Sequence, residues 1–499
     1  MIKKKVIAAA LILSTQATQA MVDDAVRVNG LVQSLRVPNL SAGVGFNEQY
    51  HNRQIALWSL QQINANMPLI DDPWSVQVLY TMTAQMNALV RAQPIIAVPL
   101  INDNNINAFA VPGGVIGMNT GTVLAAGGLD EVASVLAHEV AHLSQRHYEH
   151  RSDNAKKLMA IQLGGLIAAL AASAAGGDAA LAVMAGSQTA SAENAAAHSR
   201  EHEREADRVG QQILSEAGYD ARAMPRFFNQ LYRQVSLNQS KNAFLPSFMQ
   251  SHPFTMERLS EASARAPNYP HVAMSEKQVQ DKLFDELYWR LKYLSKQATR
   301  ADLTANANQS DGARLALVMH LTDHHEYQAA QRVFDQGGFG EYDVLPSIVQ
   351  AHLHTAQHHY DKAVSALSRI HNIYPERRDL RLYLAHNLIH DGQIAEALAL
   401  IQSLVHQNPH DVQAWQLIRQ AYEQKARADT DARTRDISTI YALQARSQVE
   451  LWTGKYQGAL QSNAQAIKVA KNHQDLSALI GMLDKDKEII LTARDFKPK

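Results

Sequence analysis

The second half of this chain repeats with a period of 34 residues. Ala329, Ala363 and Ala397 follow one another at this interval, and each lies in an alanine-bearing stretch with helical periodicity. The pairs Tyr374-Pro375 and Asn408-Pro409 recur at the same interval. A unit of this length accommodates two helices and a turn, and small residues let the paired helices approach closely. The period therefore predicts an α-solenoid of stacked helical hairpins.

This period is that of the tetratricopeptide repeat. Residues of the types that this repeat uses for helix packing occupy the corresponding positions, namely Ala351, Tyr360, Ala385, Trp415 and Tyr422. The segment Arg427 to Ser438 interrupts the period, which predicts one irregular or lengthened unit. We expect about four repeats, with the first beginning near Asp311.

Solenoids of this kind form a concave surface that holds extended or helical segments of other proteins. We expect this array to do the same, and the alternative is a passive helical scaffold. A histidine-rich stretch also lies in this half, with His352, His354, His358 and His359. The sequence pattern assigns it no carboxylate or cysteine partner, so we expect solvent-facing side chains rather than a metal site.

The first half contains the pentapeptide His138-Glu139-Val140-Ala141-His142. Gly127-Gly128 and the acidic pair Asp130-Glu131 precede it, which predicts a helix start followed by an acid-rich first turn. On a helix, imidazoles at positions i and i+4 share one face, so both can bind one Zn²⁺ at about 2.0–2.1 Å. Glu139 would then act as the general base of a hydrolase. The alternative is a buried helix that binds nothing.

A charged helix follows at Ser199 to Arg208 and brings several carboxylates within reach of the same site. One reading is a solvated surface helix with internal salt bridges, as charge runs often are. If one carboxylate is a ligand, a second carboxylate four residues later could hold a zinc-bound histidine. Glu203 and Asp207 fit that pair, but spacing alone does not choose Glu203 over Glu201 or Glu205.

The pentapeptide and the motif Glu203-x-x-Ala206-Asp207, which begins 61 residues after His142, resemble the zinc peptidases that include the CAAX prenyl endopeptidase and the membrane quality-control peptidase HtpX. The resemblance implies a mainly α, gluzincin-type metalloprotease domain with a small β-sheet and hairpin. It implies one Zn²⁺ per chain, with His138, His142 and Glu203 as ligands and Glu139 as the catalytic base. It also implies that Asp207 contacts a ligand without binding the metal itself. A metzincin is disfavoured, because its third histidine would fall at Tyr148.

Two further segments match the same family. Asn107 to Met118 is similar to its active-site strand and hairpin, where an exposed edge can pair with an extended peptide. The alternative for that segment is an ordinary core hairpin around Pro112-Gly113-Gly114. Ser251-His252-Pro253 matches a loop whose histidine can occupy the open zinc position. The resemblance therefore makes His252 a possible fourth, inhibitory ligand.

The amino-terminal residues predict export. Three lysines at positions 3 to 5, an apolar run and small residues before Met21 are typical of a signal peptide covering residues 1–20. The chain has no cysteine, so neither a lipoprotein anchor nor a disulfide is expected. Without the signal peptide the chain has 44 basic and 48 acidic residues, a net charge of −4. This charge balance does not predict nucleic-acid binding. We expect a periplasmic protein.

The composition suggests a peptidase domain over residues 21–265, a linker over 266–280 and a repeat domain over 281–499. Inside the first domain, Leu158 to Ala175 is almost wholly apolar. A single membrane crossing there would separate Glu203 from His138 and His142. We therefore expect residues 158–185 to form a buried helix or a lid that makes peripheral membrane contact.

The order of peptidase and repeats resembles a soluble periplasmic branch of the family. This resemblance implies a zinc metalloendopeptidase, with chaperone activity, that degrades misassembled outer-membrane β-barrel proteins and promotes their assembly. It implies unfolded or stalled outer-membrane proteins as substrates, and docking on the barrel-assembly machinery through the repeats. The alternative is a tetratricopeptide-repeat chaperone or adaptor with a latent zinc site.

Overall fold

The structure, a computed structural model, describes residues 46–90, 92–145, 192–238, 252 and 255–497. Within these ranges the chain is mainly helical and carries one small β-sheet. The predicted fold class, a mainly α peptidase domain followed by a helical repeat array, is confirmed. The predicted signal peptide and the apolar segment 158–185 lie outside the described residues.

The first part of the fold consists of helices around a three-stranded sheet. Its elements are α1 (Phe46–Asn66), α2 (Pro73–Val90), β1 (Leu100–Ile101), β2 (Ala108–Val111), β3 (Val115–Asn119), α3 (Thr120–Ala125), α4 (Leu129–Ser144), α5 (Ala192–Glu216), α6 (Ala223–Asn238) and α7 (Met256–Arg265).

The sheet has the strand order β1-β3-β2, with β1 parallel and β2 antiparallel to β3. A tight turn at Gly113 and Gly114 joins β2 to β3. Both glycines have positive φ, 91° and 101°, a region that side chains rarely adopt. A Cβ on Gly113 would lie 2.2 Å from the carbonyl oxygen of Asn52, and one on Gly114 would lie 2.2 Å from that of Pro94. The turn therefore requires glycine at both positions.

Helix α4 forms the centre of this domain because it packs against α5, α2, α6 and β2. Its apolar residues belong to one buried cluster that also includes Trp74, Met118 and Phe227. Fifteen of its sixteen residues are buried. A helix so enclosed holds its side chains in fixed positions, which is what a metal or catalytic site requires.

The second part is an array of helical hairpins. Its helices are α8 (Met274–Leu294), α9 (Arg300–Asn306), α10 (Asp311–Asp323), α11 (Tyr327–Asp335), α12 (Val344–Ala356), α13 (Tyr360–His371), α14 (Arg378–His390), α15 (Ile394–Gln407), α16 (Val412–Ala428), α17 (Ala432–Trp452), α18 (Tyr456–Ala470) and α19 (Ser477–Asp495).

The hairpins extend beyond the region in which the sequence period is visible. The pair α8 and α9 precedes the predicted first repeat and packs on α10. Helix α8 begins at Met274, inside the segment 266–280 that we predicted as a linker. The irregular unit predicted at Arg427 to Ser438 is a lengthened one, because α16 and α17 contain 17 and 21 residues while α12 to α15 contain 12 to 14.

The array packs against the peptidase domain. Helix α14 contacts α2, and α17 contacts α1. The Asn64 side-chain amide donates a hydrogen bond to the Trp452 carbonyl oxygen at 3.0 Å, and His410 Nε2 lies 3.0 Å from the Ile96 carbonyl oxygen. The repeats therefore contact the peptidase domain at several separate points along the array. Across the described ranges, each helix is too short or too polar to cross a bilayer.

Candidate metal centre

Helix α4 carries two histidines on one face, as their spacing of four residues predicts. The acidic residues Asp130 and Glu131 lie in its first turn, where a negative charge favours the positive end of the helix dipole. Glu131 also accepts a hydrogen bond from the Gly127 backbone N–H at 2.8 Å. His138 and His142 are both buried, and their Nε2 atoms are 3.1 Å apart. Both imidazoles therefore point toward one position.

Glu203 reaches the same position from α5. Its Oε2 lies 3.4 Å from His138 Nε2, and its Oε1 lies 3.4 Å from His142 Nε2. Glu203 is buried, whereas Glu201 is exposed and Glu205 is half-buried. Of the three carboxylates that the sequence left open, Glu203 is the buried one and lies beside both histidines.

His252 adds a fourth donor from the segment before α7. Its Nδ1 lies 3.3 Å from His138 Nε2 and 3.1 Å from Glu203 Oε1. It is buried like the other three. In the described part of the chain, His138, His142, Glu203 and His252 form the one group of three or more metal-binding side chains whose donor atoms all lie within 4.8 Å of one another.

These separations allow a test of the predicted metal. Four ligands about 2.0–2.1 Å from a tetrahedral zinc lie about 3.3 Å from one another. The five contacts given above fall between 3.1 and 3.4 Å. Three imidazoles and one carboxylate are also a donor set that suits Zn²⁺. The residues therefore fit a four-coordinate zinc ion in both chemistry and spacing.

Asp207 lies one helical turn beyond Glu203 and contacts the first histidine. Its Oδ1 is 3.0 Å from His138 Nδ1, the ring nitrogen on the opposite side from Nε2. A carboxylate in this position fixes the tautomer and orientation of a histidine, so that Nε2 presents its lone pair to a metal. Asp207 is the carboxylate that follows Glu203 by four residues in the sequence.

Arg258, on α7, also lies in the site, although its sequence context assigns it no role. Its guanidinium donates to both Asp207 oxygens, at 2.7 and 2.8 Å, and its Nη1 lies 2.9 Å from Glu203 Oε2. It is buried and lies over the Phe228 ring, 5.2 Å from the centroid. The sequence signal for Arg258 is a positive charge six residues after His252. Nothing in the local pattern distinguishes this arginine from one on the surface.

Glu139 lies beside the four-residue group. It is fully buried, and the Ala110 backbone N–H of β2 favours its ionised form. The nearest charged partner is His252, whose Nε2 lies 3.4 Å from Oε1. Burial raises the pKa of Glu139, although His252 and His138 oppose the shift. A carboxylate held in this way is suited to accept and return a proton.

The pKa values of the residues in this group are shifted in different directions. Burial would lower the pKa of His138, but hydrogen bonds to Asp207 and Glu203 raise it to about 9, so a metal that binds at Nε2 must displace a proton. Burial lowers the pKa of His142 to about 3, although Glu203 opposes that shift. Burial would raise the pKa of Glu203, but His252 and His142 hold it well below its usual value. Glu203 is therefore ionised at neutral pH, as a metal-binding carboxylate must be.

The site and fold define a metallopeptidase, and comparison with known families agrees. Residues 73–266 match Peptidase family M48, and residues 354–421 match the tetratricopeptide repeat. The first match includes all four residues of the group together with Glu139, Asp207 and Arg258. The chain therefore carries an M48 peptidase domain and a tetratricopeptide-repeat segment, and it is a metalloprotease.

Three relatives are similar to this chain over about three quarters of its length. A protein of Yersinia pestis named beta-barrel assembly-enhancing protease is 27% identical over 390 residues, which cover 72% of this chain and 75% of that protein. The Escherichia coli protein of the same name is 24% identical over 397 residues, covering 74% of this chain and 76% of that protein. A Vibrio cholerae protein, given the name provisionally, is 29% identical over 414 residues, covering 77% of this chain and 80% of that protein.

Proposed function

We propose that this chain is a zinc metalloendopeptidase with one Zn²⁺ held by His138, His142 and Glu203. The observation that carries the proposal is the set of separations between the donor atoms, which match the edges of a zinc tetrahedron. A zinc ion bound there supplies a Lewis acid that acidifies water and polarises a peptide carbonyl.

The side chains around the group supply the remaining chemistry. Glu139 accepts a proton from the attacking water and returns it to the leaving amine, which its burial and raised pKa favour. Asp207 holds His138 through the 3.0 Å contact with Nδ1. Glu139 and Asp207 are therefore the catalytic base and the orienting carboxylate.

Replacing Glu139 with glutamine tests this assignment. We expect Glu139→Gln to lower kcat by about 10²- to 10⁴-fold, because the amide cannot accept the proton, with bound zinc unchanged. The measurements are cleavage of an unfolded outer-membrane protein and zinc content. Glu201→Gln, at an exposed position on the helix that carries Glu203, is the matched control and should retain full activity. Undiminished cleavage by Glu139→Gln would refute the role of Glu139.

We further propose that His252 is a fourth, inhibitory ligand. Its Nδ1 lies 3.3 Å from His138 Nε2 and 3.1 Å from Glu203 Oε1, and its Nε2 lies 3.4 Å from the Glu139 carboxylate. In this position it blocks the place where water and a peptide carbonyl must approach. The structure then represents a latent form, and proteolysis requires this histidine to withdraw.

His252→Ala tests the latent form. Because the substitution removes the blocking ligand and leaves the other three, we expect higher basal peptide cleavage with the same zinc content. The control is His271→Ala, at an exposed histidine just before α8. If His252→Ala cleaves at the wild-type rate and its zinc coordination is unaltered, the histidine is not an inhibitory ligand.

The proposed substrates are unfolded or stalled outer-membrane β-barrel proteins in the periplasm. The relatives' names support this, as do the predicted signal peptide and a repeat array of a type that binds other proteins. Strand β2 is at the edge of the sheet beside α4, a position from which it can pair with an extended substrate. We propose that the chain degrades misassembled barrels, promotes their assembly and docks on the barrel-assembly machinery through its repeats.

The alternative is a chaperone or adaptor in which the zinc site is latent or structural. Four protein ligands are typical of structural zinc sites, and His252 supplies the fourth. A structural site has no use for a buried carboxylate such as Glu139, which favours the protease. Measuring cleavage and rescue of barrel assembly separately in Glu139→Gln divides the two functions. Loss of cleavage with intact rescue would show that both coexist.

A further inference from the structure

A buried glutamine on α5 binds the end of α7 that is remote from the metal centre. Gln211 is fully buried. Its Nε2 donates to the Ala262 carbonyl oxygen at 2.9 Å and to the Ala221 carbonyl oxygen at 3.2 Å. Its Oε1 accepts a hydrogen bond from Arg265 Nε at 2.9 Å. Both ends of the amide are therefore bonded, as the burial of an amide requires.

These hydrogen bonds join three segments of the peptidase domain. Ala262 and Arg265 lie in the last turn of α7, where backbone carbonyls are available to side chains. Ala221 lies in the connection between α5 and α6. A single amide therefore fixes the carboxyl-terminal end of α7 relative to α5.

Gln211 belongs to a row of polar residues on α5 that contact α7. Arg204, Asp207 and Gln211 are spaced at i, i+3 and i+7, so they share one face of the helix. Arg204 pairs with Glu257 and is partly exposed, so this pair contributes little. Asp207 bonds Arg258 in the buried metal centre. Gln211 is the buried contact at the other end of the row.

The position of α7 determines which side chains reach the metal centre. Arg258 lies in the first turn of α7, and His252 precedes the helix by four residues. Thr255 links the two, because its hydroxyl accepts a hydrogen bond from the Arg258 backbone N–H at 3.2 Å. Apolar packing, such as that of Leu259, is non-directional, whereas hydrogen bonds fix the register of one helix on another.

We propose that Gln211 is a positioning residue for the metal centre. By fixing the far end of α7 on α5, it holds Arg258 against Glu203 and Asp207. The inference rests on the proposed function, because it takes this group as the zinc site. The alternative is an amide that stabilises the fold without influencing the site. Zinc affinity separates the two, since a purely structural role lowers the free energy of unfolding and leaves the ligands of the folded protein unchanged.

The experiment compares zinc affinities of full-length variants by competition with a chelator. Gln211→Met keeps the length of the side chain and removes its hydrogen bonds. We expect it to bind zinc about tenfold more weakly than wild type, the lower limit for a group that orients metal ligands. Gln212→Met is the matched control, because Gln212 is the next residue of α5 and donates to Glu216 of its own helix at 3.0 Å. It should bind zinc like wild type.

Two further measurements test whether the effect passes through α7. In the Arg258→Lys background, Gln211→Met should lower zinc affinity by less than about twofold, because no guanidinium remains to be positioned. In zinc-free protein, hydrogen exchange of the α7 backbone amides should be faster in Gln211→Met than in wild type, and unchanged in Gln212→Met. The second measurement does not depend on bound metal.

Arg265→Met provides a second variant. It removes one of the contacts from the side of α7, where the arginine side chain is partly exposed, so it should fold like wild type and show a smaller loss of zinc affinity. The proposal is overturned if Gln211→Met binds zinc as tightly as wild type, or if its loss is the same in the Arg258→Lys background. If Gln211→Met does not fold, equal affinities of wild type and Arg265→Met overturn it. A wild type that binds no zinc would instead refute the proposed function.

Discussion

At the scale of single residues, the most consequential contact is that of Arg258. One guanidinium contacts the proposed ligand Glu203 and the proposed orienting carboxylate Asp207 at once. Two buried carboxylates one helical turn apart repel each other. A planar cation that bonds both therefore stabilises this arrangement more than an exposed ion pair would. We therefore expect Arg258 to position both carboxylates of the candidate metal centre.

Arg258→Lys tests that role. A lysine keeps the charge but cannot bond two carboxylates in parallel. We expect zinc affinity to fall by about 10- to 100-fold, measured by competition with a chelator, and kcat to fall while KM stays unchanged. Arg204→Lys is the control, since Arg204 is partly exposed and pairs with Glu257 and Glu261. Equal zinc affinities for wild type and Arg258→Lys would exclude the positioning role.

Local spacing predicted some of these residues and not others. His138, Glu139 and His142 were identified by spacing, because their geometry depends only on one helix turn. Choosing Glu203 required either the family resemblance or the packing of α5 on α4, because the spacing in the sequence fits Glu201 and Glu205 equally well. Arg258 was missed because its partners lie 51 and 55 residues away in the chain.

At the scale of elements, the site depends on how closely α5 approaches α4. Gly210 makes this possible: a Cβ placed there would lie 3.2 Å from the Cα and the backbone nitrogen of His138. That separation is tighter than most real contacts of a Cβ, and the backbone of a buried helix yields little. The glycine therefore sets the distance between the helix that carries Glu203 and the helix that carries both histidines.

Gly210→Ala should push the two helices apart. The gain in helix propensity, about 0.5–1 kcal/mol, is outweighed by overpacking of about 1–3 kcal/mol. We therefore expect a net loss of about 1 kcal/mol in the free energy of unfolding, together with weaker zinc binding. Gly481→Ala is a matched control, because Gly481 lies in α19 and a Cβ there would contact nothing within 4 Å. It should stabilise the protein and leave zinc binding unchanged; the opposite ranking in chemical denaturation would contradict this account.

At the scale of the whole molecule, a buried ion pair joins the two parts. Arg290 on α8 donates to both oxygens of Asp72, at 2.8 and 2.6 Å, and the Tyr383 hydroxyl on α14 donates to Asp72 Oδ1 at 2.8 Å. Asp72 also accepts the Ser75 backbone N–H at 2.9 Å at the start of α2. One carboxylate therefore connects α2 of the peptidase domain with two helices of the array.

This connection should be sensitive to acid. Burial would raise the pKa of Asp72, but Arg290 and Ser75 lower it to about 2 from a usual value of 3.8. The stabilisation is complete above about pH 4 and is lost as the pH falls toward 2, a change of about 2 kcal/mol. We expect the free energy of unfolding in urea to decrease over this range by about that amount more in wild type than in Asp72→Asn.

The stability of Asp72→Asn at neutral pH, compared with that of a control variant, tests the same ion pair. At neutral pH, Asp72→Asn should already be destabilised by about 3–5 kcal/mol, because it leaves the Arg290 charge buried without its counter-ion. Asp281→Asn, which removes an exposed partner of Lys277, should be within about 1 kcal/mol of wild type. If Asp72→Asn shows the same acid dependence as wild type, another carboxylate is responsible.

The sequence by itself determined the classes of structure, because helical spacing and a 34-residue period are local or periodic properties of the chain. They identified the histidine pair with its glutamate and the stacked hairpins of the array. The tertiary structure decided what depends on contact between distant segments. It brought Glu203 and Arg258 close to the histidine pair and its neighbouring carboxylate, and it placed the array against the peptidase domain. Side chains separated by tens or hundreds of residues meet only after the helices pack, and no local pattern encodes that packing.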